Sequence, residues 1–223
     1  MKWLTVTLSF LLSIPAAVSG QQAERYSLDA GPAAIYNVVG NVRVEPASGT
    51  VTVQVTRAGG EPAKLRIAQG EIDGRATLRV IYPADRIRSG NLRSHGNTQL
   101  RVRDDGTFGD QDWRAHGRKE HHDWNEDGRR VTIGDDTDGL DARADLVVGV
   151  PQGAEVSVYL AVGSVTVSNV DGALRVDAHS APVTTSGTRG RLMVDVGAGD
   201  VRIAQAQGEL SVDTGSGSVE VTG

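Results

Sequence analysis

The sequence predicts an all-β chain: a β-solenoid or β-helix-like stack of two-strand rungs with an 18-residue period and one long polar insertion, an antiparallel β-sandwich being the alternative. Three observations predict it. Val156, Leu174, Leu192 and Leu210 recur at a spacing of 18, as do Val158, Val176, Val194 and Val212. Val165, Val183, Val201 and Val219 form a third column, and Val167, Thr185, Ile203 and Val221 a fourth. Glycines punctuate the units at Gly172, Gly190 and Gly208 and divide them at Gly163, Gly199 and Gly217, with Ala181 as the one departure. The composition agrees: 28 glycines and only 4% aromatic residues suit a thin, valine-lined interior better than a thick globular core.

Apolar residues at i and i+2 on either side of a glycine read as strand, turn, strand, turn. A single such rung cannot bury its apolar face, so rungs must stack, about 4.8 Å apart, with each column forming a ladder. Register is then specified, because a slip of one residue would turn the valines to solvent.

In chain order, residues 1–20 read as a secretory signal peptide: Met1-Lys2 is a short positive start, Trp3 to Ile14 an apolar run too short to span a bilayer, and Ala17-Val18-Ser19-Gly20 a small-residue cleavage site. The mature protein is expected to start near Gln21, to carry no transmembrane segment and to be periplasmic, cell-surface or extracellular. With no cysteine in the chain, it has neither disulfides nor a lipidation site, so the ladders alone must hold it. A net charge of −5 gives no electrostatic reason to expect nucleic acid or an anionic membrane as partner.

Residues 21–83 contain alternating runs without the clean period, at Val42-Arg43-Val44, Val51 to Val55, Leu65-Arg66-Ile67 and Leu78 to Tyr82. They are expected to be an N-terminal cap and irregular first coils, since terminal repeats are atypical. Residues 84–144 lose the pattern. They form a polar insertion rich in His and Asp, expected to be partly disordered, with strand-like runs only at Gln99 to Val102 and Arg130 to Ile133. Residues 145–223 resume the sheet at Asp145 to Pro151 and carry the regular repeats, forming one domain with 36–83.

The early Gly-Asn-Val-Arg-Val segment (Gly40 to Val44), the Leu-Val-Val-Gly-Val-Pro strand (Leu146 to Pro151) and the later Gly-Ser-Val-Thr-Val, Gly-Asp-Val-Arg-Ile and Gly-Ser-Val-Glu-Val units resemble the bacterial putative-adhesin β-strand-repeat family. The resemblance covers roughly Tyr36 to Gly223, less the insertion. It implies a secreted or envelope-associated β-solenoid of adhesin-like binding or structural role, with no catalytic residues to carry over. The long insertion departs from the family pattern.

Chemistry-bearing residues concentrate in that insertion. Asp123, Asn125 and Asp127, followed by Gly128, match the opening of an oxygen-ligand calcium loop. Position 12 of such a loop would be Gly134, so Asp135 or Asp136 would have to close it. His121 and His122, with His116, Asp112 and Asp123 nearby, offer nitrogen and carboxylate ligands to zinc. His95 and His179 stand alone. Asp177, Asp195 and Asp213 share one column, which stacks like charges unless water or cations intervene.

No nucleophile elbow, phosphate loop or calcium-nonapeptide spacing occurs, and no pair of carboxylates is marked for glycoside hydrolysis. The expected function is therefore a non-enzymatic β-repeat module that binds an envelope protein or glycan. A carbohydrate-active β-helix enzyme and a metal-binding envelope protein are the alternatives. The last unit stops in mid-repeat at Val219 to Gly223, leaving a coil end to be met by a second copy, another segment or further chain.

Overall fold

A computed structural model of the chain describes residues 23–90, 92, 96–109, 128–135 and 138–223. The fold is all-β. Among the described residues sixteen strands form: β1 (Glu24–Ser27), β2 (Ala33–Ala47), β3 (Thr52–Ala58), β4 (Arg66–Ile72), β5 (Arg75–Ile81), β6 (Arg86–Arg88), β7 (Thr98–Val102), β8 (Arg129–Gly134), β9 (Arg143–Pro151), β10 (Ala154–Ser168), β11 (Asp171–Ser180), β12 (Val183–Ser186), β13 (Arg189–Ala198), β14 (Val201–Ala204), β15 (Gln207–Ser216) and β16 (Val219–Thr222). Thirteen of them form one mixed sheet and β6, β8 and β7 a second. A 3₁₀ turn at Pro62–Lys64 is the sole helical element among the described residues.

From β10 onward every pairing is parallel and displaced by one repeat. β11 lies on β10, β13 on β11 and β15 on β13, with Val156 beside Leu174, Leu174 beside Leu192 and Leu192 beside Leu210. A second arm is built the same way by the far half of β10 and by β12, β14 and β16, with Val165, Val183, Val201 and Val219 side by side. The columns read from the sequence are thus the ladder's own register pairs. Their side chains are the core: Val158, Val176, Val183 and Val201 have no exposed surface. Each is worth roughly 1.5–3 kcal/mol of burial.

The coil before β10 is β2, although the two are far apart in sequence. Val156 pairs with Ala33 and Val165 with Val42, an offset of 123 that equals one period of 18 plus 105 residues. At the corner the backbones touch. Gly163 has φ 146°, and a Cβ there would lie 1.7 Å from the Gly40 carbonyl oxygen, so only glycine permits coils this close. A second corner repeats its conformation without repeating its residue: Asn169, Gly187 and Gln205, each 18 apart, have φ of 55°, 67° and 54°.

The N-terminal third, expected to be a cap and irregular first coils, mixes antiparallel and parallel pairing. β3 pairs antiparallel with β1 and β9, and β4 pairs antiparallel with β5. Asp73 (φ 50°) and Gly74 (φ 70°) explain the second reversal: two consecutive left-handed residues form the hairpin turn that Asp-Gly favours. β5 and β9 then run parallel to β2, pairing with its first and second halves respectively.

Within residues 84–144, β8 pairs parallel with β6 and antiparallel with β7. Ile87, Val131, Ile133 and Leu140 are buried and join the same apolar cluster as the coils. The root of this segment is tied down by polar atoms. Asn37 Nδ2 donates to the carbonyls of Ala144 (2.7 Å) and Val39 (3.2 Å), while the Tyr82 hydroxyl lies 2.7 Å from the Val39 oxygen and 2.9 Å from Asn37 Oδ1. Tyr82 lies just before the insertion and Ala144 is its last residue, so one buried asparagine holds both ends at the first coil. Burial pushes the Tyr82 phenol well above its ordinary pKa.

Candidate functional site: the outer faces of the stack

Strand alternation sends every second side chain of the coils away from the valine columns, and parallel register turns these side chains into rows across neighbouring strands. On the first arm, one row reads Tyr36, Tyr159, Asp177, Asp195, Asp213. Its two halves differ in kind. Tyr36 and Tyr159 are stacked with centroids 4.4 Å apart and planes 5° apart, and Phe108 meets Tyr36 edge-on at 5.9 Å. Arg75 Nη1 donates to the Tyr159 hydroxyl at 3.3 Å. Burial, with the neighbouring Tyr159 phenol second, pushes the Tyr36 pKa far up.

The loop after β7 covers this aromatic half. Asp105 Oδ1 accepts from the Thr107 amide (2.9 Å) and hydroxyl (2.8 Å), shaping a tight turn that delivers Phe108. The acidic half is neutralised from the adjacent row instead. Arg175 Nη2 lies 3.2 Å from Asp177 Oδ2 and 3.9 Å from Asp195 Oδ2. The carboxylates become more open toward the C-terminal end, Asp177 being 19% exposed and Asp195 54%. Repulsion along the column is thus met partly by an arginine of the chain itself, which the sequence reading assigned to water or external cations.

The second arm's outer face is polar, and no described residue covers it. Ser164 Oγ donates to Asn41 Oδ1 at 2.7 Å, Arg43 pairs with Glu45 at 3.0 Å, and Arg202 bridges Asp200 (3.7 Å) and Glu220 (3.6 Å). Thr166, Thr184, Arg202 and Glu220 form its central row. Exposed ion pairs of this kind contribute little to stability; they leave a level surface of hydroxyls and paired charges.

Two clefts, of about 400 and 460 Å³, meet at the turn 29–32 beside the stack. Asp29 and Glu155 flank the first, Asp29 and Glu71 the second. The sequence reading did not find them, because each is assembled from turns far apart in the chain and no single stretch carries a signal.

The metal-ligand candidates Asp123, Asn125, Asp127, His121 and His122 lie outside the described residues, as do Asp112, His116, Asp136, His95 and the signal-peptide reading of 1–20. Of that loop, Gly134 ends β8, and Asp135 accepts a hydrogen bond from the Ser89 hydroxyl. His179 is exposed on β11. Among the described residues no group of three or more His, Asp or Glu side chains is placed to hold a metal ion, and no helix is long and apolar enough to cross a membrane.

No family model matches the chain, and no curated protein matches it. Two solved structures are similar to it. One is a putative cell adhesion protein from Clostridium sporogenes, 8% identical, with a TM-score of 0.47 over 90% of this chain and 98% of that one. The other is a putative adhesin from Parabacteroides distasonis, 10% identical, with a TM-score of 0.25 over 90% and 96%. Both likenesses are too distant to assign a site.

Proposed function

We propose that this protein is an exported, non-enzymatic β-solenoid that acts at the cell envelope as an adhesin-like binding module, displaying the outer faces of its coils to an envelope protein or glycan. The observation that carries the reading is the in-register parallel ladder. It holds Asn41, Ser164, Thr166, Thr184 and Arg202 on one face that no described residue covers at the strand spacing of about 4.8 Å. Such an array binds by many weak, regularly spaced contacts to an extended partner. The resemblance of the repeat motifs to adhesin repeats agrees with this role. The insertion adds a second potential site, in which Asp123, Asn125, Asp127, His121 and His122 would take calcium or zinc.

The test is a binding screen of the protein against envelope polysaccharides and acidic glycans, with product analysis in the same reactions. Saturable binding without turnover is expected, and Thr184→Trp, which raises a bulky ring from the level face, should weaken it at least tenfold. Turnover abolished by Asp195→Asn would overturn the reading in favour of a carbohydrate-active enzyme. Titration calorimetry with calcium and zinc tests the insertion: no heat from either metal removes that part.

A further inference from the structure

The second arm continues through β9, β3 and β1 as one sheet, and a single outer row runs across the junction. Arg25 lies beside Gln54, Gln54 beside Val147 and Val147 beside Arg43. From Arg43 the row goes on to Thr166, Thr184 and Arg202. Their neighbours along the strands, among them Val42, Val53 and Val148, are buried in the core, which puts the row on the outside. Arginine thus recurs at every third strand, with two uncharged side chains in each interval. At the strand spacing, successive arginines are about 14 Å apart and the row from Arg25 to Arg202 is about 29 Å long. Positions 25, 43 and 202 share no interval in the sequence, so only the fold brings them into line.

All three arginines are exposed. Arg43 meets Glu45 through Nε at 3.0 Å and Arg202 meets Glu220 through Nε at 3.6 Å, the arginine side chains being 61% and 56% exposed. Pairs this open to water contribute little, so a carboxylate from outside can replace the internal one at small cost and make the same planar, two-pronged match. The charges also set a direction. Along its own strand each of Arg43 and Arg202 has an acid two residues away, Glu45 and Asp200. Across the strands, from Arg25 to Arg202, the next cation is reached over uncharged groups alone. A polyanion is therefore favoured along the row, and Glu220, next in line after Arg202, marks where that stretch stops.

We infer that this row is a binding track for a linear polyuronate, a carboxylate-bearing polysaccharide lying across the strands with an acid group on each of Arg25, Arg43 and Arg202. A pyranose unit advances such a chain by about one strand spacing. Every third sugar then delivers its carboxylate to an arginine, and the sugars between face Gln54 and Val147 or Thr166 and Thr184. The inference rests on the reading of this face as the one that meets envelope glycans, and adds the ligand's charge, direction and register. Each contact is weak alone; the linkage of the sugars makes them act together.

Titration calorimetry of the full chain with oligogalacturonates of increasing length tests it. Affinity should rise in two steps, at about four sugars, enough to span two arginines, and at about seven, enough to span three. Arg25→Gln should remove the second step and keep the first. Arg43→Gln should remove the first and weaken the longest chain roughly tenfold. Arg191→Gln, which alters an exposed arginine of the first arm, should change nothing. Absence of binding at every length, a rise without steps, an equal loss at Arg191→Gln or a preference for poly(glycerol phosphate) overturns the inference. So does a neutral glycan whose binding is weakened by Thr184→Trp and untouched by Arg43→Gln, an outcome that leaves the broader reading of the face standing.

Discussion

The coils from β10 to β16 and the segment between β2 and β10 share one hydrophobic cluster yet are held in different ways. In the coils, each residue packs on its equivalent 18 positions away, so stability is spread over near-identical interfaces and depends on backbones lying close enough to stack. In the intervening segment, contacts are single-copy: an Asp-Gly hairpin, Phe108 on Tyr36, and Asn37 gripping both Tyr82 and Ala144. Repetition tolerates the loss of a side chain from one column but not the addition of an atom between coils. The unique segment tolerates the reverse.

Adding one methyl group at the coil contact should have the largest effect. Gly163→Ala places a Cβ 1.7 Å from the Gly40 oxygen and should cost about 4 kcal/mol or more, read as a fall in denaturation midpoint or failure to fold. Gly49→Ala is the control. Its φ is 85° but nothing lies within 4 Å, so only backbone strain of about 1 kcal/mol applies. Equal effects at the two positions would erase the distinction between coil contact and ordinary turn.

The polar anchor comes next. Asn37→Leu should cost about 1–3 kcal/mol by leaving the Tyr82 hydroxyl and the Ala144 carbonyl without this partner. The buried tyrosines carry a pH signature. Tyr36 and Tyr82 have folded-state pKa values raised above the ordinary phenol value. Their contribution is complete below that value and is lost as pH rises above about 10. Tyr82→Phe should flatten the alkaline fall in stability measured by chemical denaturation, and an unchanged slope would show that Tyr82 is not responsible for it.

The smallest effect should be a gain. Gln205 holds a left-handed conformation that its counterpart Gly187 adopts without cost, so Gln205→Gly should stabilise the chain by about 0.5–1 kcal/mol in thermal or denaturant melts. A loss would mean that the glutamine side chain contributes more than its backbone strain removes.

Legibility in the sequence followed the same division. Every column from Val156 to Val221 could be read because parallel stacking writes spatial neighbours at a constant interval. The partnership of Arg175 with Asp177 was also readable, since residues two apart on a strand share a face, but the aspartate column was considered without its neighbouring row. The Ile72-Asp73-Gly74-Arg75 hairpin carried a turn signal that the expectation of coils overrode. The joining of β2 to β10 left no local trace, because nothing in Ala33 or Val42 states which distant strand will lie beside it. The Asn37 anchor was hidden for the same reason, its partners being 45 and 107 positions away.

The 105 extra residues between the first and second coils bear on the order of assembly. β2 cannot meet β10 until residue 156 has been made, and the loop closed by that contact must be ordered before the contact repays it. The later coils, each closing only 18 residues, can zip up at once and offer β10 as a ready template. The contact between β2 and β10 should thus be among the last to form, on a template that the later repeats have already built.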